Sequence, residues 1–64
     1  MHEGDLVRFN SYACKSWPHD YTRLEAVILI QEPKDPDHSD IVLVLRRGKP
    51  ELTHLRFLEG VGEV

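Results

Sequence analysis

The side chains best suited to chemistry in this chain are Cys14, His19 and Asp20, all within the stretch SYACKSWPHDY, with Ser11, Ser16 and Ser39 as further candidate nucleophiles. A thiol or hydroxyl beside an imidazole, with a carboxylate to orient the ring, is the arrangement that nucleophilic catalysis uses. All of these residues fall in segments that read as loops, and sequence neighbours seldom form such a triad. A 64-residue chain also has little room for a pocket that excludes water. The expectation is a protein without enzymatic activity or a small-molecule substrate. Metal chemistry has no better support. His2, His19, His38 and His54 are widely spaced, and the Cys14/His19 pair has no second pair behind it, whereas structural zinc sites pair their ligands at both ends. The run DPDHSD, 35–40, has the carboxylates of a calcium loop but lacks its glycine and distal glutamate. No metal and no cofactor is expected.

Composition narrows the remaining classes. One cysteine rules out an intramolecular disulfide and fits a reducing compartment. The formal charge of −3 argues against a dedicated nucleic-acid coat. The polar start MHEGD is not a signal segment, and the longest apolar run is far too short to cross a bilayer. A cytoplasmic protein with no membrane partner is expected. The length fits one domain over 1–64, below the roughly 70–80 residues at which a core alone becomes secure.

The elements that must position these residues are strands. In DLVRFN, 5–10, Val7 and Phe9 share one face and Arg8 and Asn10 the other. The aperiodic segment 11–21, with a Trp-Pro step and three aromatics, reads as a long loop. TRLEAVILIQE, 22–32, is rich in β-branched and aliphatic residues, and the proline-containing 33–40 is a polar loop. IVLVLRR, 41–47, is a third strand, followed by a Gly48-Lys49 hairpin turn with glycine first. ELTHLRF, 51–57, alternates as a strand with Thr53, Leu55 and Phe57 on one side, although Leu52, Leu55 and Leu58 also fit a helix opened by Pro50. LEGVGEV, 58–64, adds a last short strand. The fold class is all-β, with about five short antiparallel strands.

The order of these segments carries a resemblance. Gly4-Asp5-Leu6-Val7-Arg8-Phe9, a long loop, a β-rich segment, Val42-Leu43-Val44-Leu45-Arg46-Arg47-Gly48 and a closing Leu58-Glu59-Gly60-Val61 resemble the small SH3-like barrels, above all the KOW-type version. Short proteins of tailed bacteriophages share this outline. Glu25-Ala26 stands where KOW-type modules usually carry a glycine. The resemblance implies a small SH3-like barrel, and either a virion component (capsid decoration or connector) or a module that binds nucleic acid.

Surface residues can then be assigned. Bent barrel strands bury one face at one end and the other face at the other. Taking Val7, Phe9, Ala26, Ile28, Ile30, Ile41, Leu43, Leu45, Leu55 and Phe57 as inward fills a small core. Val27, Leu29, Val42 and Val44 are then left over as an apolar patch for a protein partner or for copies of the chain. Tyr12, Trp17 and Tyr21 either cap an open end of the barrel or form a contact cluster. Arg46, Arg47, Lys49 and Arg56 gather around the hairpin, as phosphate contacts or as a charged guard on an edge strand. The function expected is a non-enzymatic protein-interaction module docking onto a larger assembly, in the cytoplasm or in a virion. The alternative is a KOW-like nucleic-acid-binding accessory protein.

Overall fold

Strand β1, Leu6–Phe9, is the one element whose sequence alternates without ambiguity, and it sets the phase of the sheet. The computed structural model describes residues 1–61. Its elements are β1, a short helix α1 over Ser11–Ser16, β2 over Ala26–Gln31, β3 over Ile41–Arg46, β4 over Lys49–His54, a 3₁₀ turn over Leu55–Phe57 and β5 over Leu58–Gly60. The five strands form one antiparallel sheet in the order β4-β3-β2-β1-β5. This is a small all-β domain, compatible with an SH3-like fold.

Cross-strand pairing propagates the phase of β1. Val7 pairs with Val27, Leu29 with Val44, Val42 with Thr53, and Phe9 with Leu58. These eight residues are all buried and, with Ala13 and Phe57, make the core. Between Leu29 and Gln31 the β2–β3 register shifts, with Ile30 as the extra residue. A bulge of this kind bends the strand and increases its twist.

The pairing overturns the sequence-derived inner face. Val27, Leu29, Val42 and Val44, expected as a surface patch, are buried, whereas Ala26, Ile28, Ile30 and Ile41 are exposed and Leu43 and Leu45 only half-buried. Both parities of β2 and β3 are apolar, so their own patterns carry no phase. The contact with β1 decides it: the buried Val7 pairs with Val27, and that phase carries Leu29 and, across from it, Val44 to the inner side.

Two local expectations also change. Segment 11–16 is helical, not loop. The Asn10 side chain caps it, accepting from the Ala13 amide at 3.0 Å, and Pro18 follows its last turn, as helix-ending prolines do. The hairpin turn is Arg47-Gly48, one residue earlier than expected, because Arg46 pairs with Lys49. Both turn residues have positive φ, 54° and 78°, the primed geometry that matches strand twist. The 51–57 segment resolves as strand to His54 and then as the 3₁₀ turn. Of the expected last strand, 58–60 is observed and 62–64 lies outside the described residues.

Candidate functional site

Packing of the 10–25 segment over the inner side of the sheet builds an aromatic shelf. Tyr21 stacks on Phe9 with ring centroids 4.2 Å apart. Trp17 lies 5.1 Å from Phe57 and edge-on to Tyr21, and Tyr12 lies 5.7 Å from Phe57. His54 adds an edge contact to Phe57 at 5.2 Å. Tyr21 is the inner member, packed against the core. Tyr12 and Trp17 keep 57% and 42% of their surface exposed. The three aromatics thus cap the core and also present ring area outward. Asn10 holds the base rigid: its Nδ2 donates to the Arg56 carbonyl at 2.7 Å and its amide to the Phe57 carbonyl at 2.8 Å.

The arginines are engaged within the chain. The Arg46 side chain is only 12% exposed. Its guanidinium lies 5.3 Å and 5.2 Å from the ring centroids of Phe9 and Tyr21. It donates to Glu25 at 2.6 Å, to Glu51 at 3.4 Å and to the Asp20 carbonyl. Burial pushes the Glu25 carboxyl up, but hydrogen bonds from Arg46 and Arg47 outweigh it and hold it below its usual range. Arg46 therefore seals the end of the core, a cation over aromatic faces, and is not placed for phosphate contact. Arg47 pairs with the same Glu25 at 2.7 Å. Lys49 makes no ion pair among the described residues and borders a shallow hollow with His19, Asp20 and Glu51. Arg8 and Arg23 share Glu59 at 2.7 and 2.8 Å.

Arg56 belongs to a clamp that the sequence reading missed. Its Nε and Nη2 donate to Asp40 at 2.8 and 3.1 Å, and His54 Nδ1 lies 2.8 Å from the same carboxylate. The Asp40 carbonyl accepts from the Leu55 amide at 2.7 Å. Hydrogen bonds from Arg56 and His54 hold the Asp40 carboxyl far below its usual range. The clamp fastens the 33–40 loop to the 3₁₀ turn. An acidic residue in a polar loop carries no signal that would single it out.

Of the nucleophile candidates, Cys14 is half-buried with its Sγ 3.8 Å from the Phe9 carbonyl, and Ser39 Oγ accepts from the Ile41 amide. Both contacts are local and structural. Among the described residues no group of three His, Cys, Asp or Glu side chains could hold a metal ion. No described helix is long and apolar enough to cross a membrane.

The other face of the sheet is a second candidate surface. Leu6, Ile28, Leu45 and Pro50 form one cross-strand row, and Leu43 and Leu52 pair in the next. Ile30 and Ile41 flank them, and Leu52 is 69% exposed. The sequence reading expected such a patch but placed it on the opposite parity. No protein-family model, curated protein or solved structure matches the chain.

Proposed function

We propose that the chain is a non-enzymatic protein-interaction module that docks onto a larger assembly through its aromatic shelf. The observation carrying this is the exposure of Tyr12 and Trp17 on a base fixed by Phe9, Tyr21 and Phe57. Tryptophan and tyrosine are the side chains most often dominant in binding energy. Rings held by a rigid stack lose little conformational freedom on contact, which favours affinity. The outline shared with short proteins of tailed bacteriophages makes a virion shell or connector the first assembly to test, with the cytoplasm as the alternative setting.

The KOW-like nucleic-acid reading has less support. Arg46, at 12% exposure, is sealed inside its own ion pairs, and the positive charge of Arg47 and Arg56 is offset by the neighbouring Glu25 and Asp40 carboxylates, which weakens attraction to phosphate.

A photo-crosslinking residue at position 12, compared with one at position 37, tests the proposal in the cells that make the protein. The expected result is an adduct of defined mass from position 12 only, persisting at high salt and lost in Trp17→Ala. Equal adducts from both positions, or none from position 12, would rule the shelf out.

A further inference from the structure

We infer that the bare face of the sheet is the interface of a twofold homodimer of this chain. The inference does not depend on the shelf, which lies on the other side of the sheet.

The first argument is stability. The core of the described residues contains nine buried apolar side chains. A single cysteine cannot close a disulfide within the chain, and no metal cluster is present among the described residues. A domain with so small a core gains stability from further burial against a partner. Another copy is the partner available wherever the chain is made.

The second argument is chemical. Across four strands the centre of the face is Leu6, Ile28, Leu43, Leu45, Pro50 and Leu52. No charged side chain interrupts it. The nearest charges on β1 and β5, Arg8 and Glu59, already pair with each other at 2.7 Å. A twofold axis can therefore lay this face on itself without burying an unpaired charge, which is the main penalty in such interfaces. The charged Glu32, Lys34 and Asp35 lie at the edge of the face, around the hollow beside Leu43 and Leu52, and leave its centre apolar.

The third argument is area. The exposed parts of these leucines and isoleucines, with Ile30 and Ile41, amount to roughly 500 Å², at the upper end of what a monomer leaves open. A standard interface takes about 800 Å² from each partner, of which about 65% is apolar in homodimers. The face matches that apolar share. Relief is present too: Leu52 stands beside a hollow of about 320 Å³ with an apolar side at Ile41 and Leu43 and a polar rim at Gln31, Glu32, Lys34 and Asp35. Two such faces would stack as a sandwich about 10 Å apart, the spacing of packed sheets.

The test is solution mass by light scattering and thermal unfolding, both across a wide concentration range, on the full chain and on Leu52→Glu and Ile28→Lys. Both substitutions fall at sites already exposed in the single chain, so neither alters its core. The expected result is a wild-type dimer whose Tm rises with concentration, as linked association requires. Each variant should be a monomer whose Tm lies below that of the wild-type dimer and does not change with concentration, with self-association weakened by at least about a hundredfold. A wild-type mass that stays monomeric into the millimolar range, with a constant Tm, overturns the inference without using either variant. So does a dimer that survives both substitutions. Neither failure touches the shelf, which the position-12 crosslink tests separately.

Discussion

Replacing Val44 by alanine and, separately, Ile41 by threonine probes which face of β3 is inside. Val44 has no exposed surface, whereas Ile41 is 48% exposed. Val44→Ala removes two buried carbons at about 0.8 kcal/mol each. The cavity they leave raises the loss to about 2–2.5 kcal/mol. In a domain of this size that lowers Tm by roughly 10–20 °C. Ile41→Thr keeps a β-branched residue on the strand and puts its hydroxyl in water, so the loss is about 0.5 kcal/mol or less. Thermal and urea unfolding by circular dichroism, at the lowest workable concentration, reads both values. Equal losses, or a larger loss at Ile41, would mean that the inner and outer faces have been assigned the wrong way round.

Asn10→Ala removes the helix cap and the bond to the Arg56 carbonyl together, and is expected to cost about 1–2 kcal/mol in thermal unfolding. Gly48→Ala forces a side chain into a positive-φ position and is expected to cost about 1 kcal/mol or more, seen as a lower Tm with unchanged far-ultraviolet spectrum. The depressed Asp40 carboxyl stabilises the fold above its unfolded pKa, near about 3.9, and that contribution fades as pH falls below it. Tm should therefore drop on acidification below about pH 4, and Asp40→Asn should show a lower Tm at neutral pH with a shallower acid limb.

Much of the architecture was legible because turn chemistry and β-branched runs mark strand existence. Gly4-Asp5, the proline-containing 33–40 loop and Gly48 marked the strand ends beside them to within a residue or two, but β2 begins at Ala26 rather than at 22 and β4 ends at His54 rather than at 57. The face of each strand was legible only where one parity is polar. Val7 and Phe9 against Arg8 and Asn10 could be assigned from sequence, as could Thr53, whose inward position is observed. In β2 and β3 the choice between Val27 and Leu29 or Ile28 and Ile30 rests on pairing across strands, which no local pattern records. Helix α1 left a signal in Asn10 and Pro18, weakened by its length of only six residues and by Ser11, Tyr12, Cys14 and Ser16, which are no better than middling helix formers. Tyr12, Trp17 and Tyr21 were identified as a group, yet their seat depends on Phe57, some 36 residues beyond Tyr21. Pairing of the hairpin arginines with Glu51 could be read from the sequence and is observed for Arg46, but their closer partners, Glu25 and Asp40, come from separate loops that no local pattern links to them.

The most direct test of the interaction-module account is hydroxyl-radical footprinting of Trp17 and Tyr12. The labelling would be compared between the purified chain and the same chain within an extract of the cells that make it. The account requires oxidation of both rings to fall severalfold in the extract while His38, on the exposed 33–40 loop, is labelled alike in both. Trp17 and Tyr12 labelled equally in the two settings would show that nothing docks on the shelf, and the account would fail.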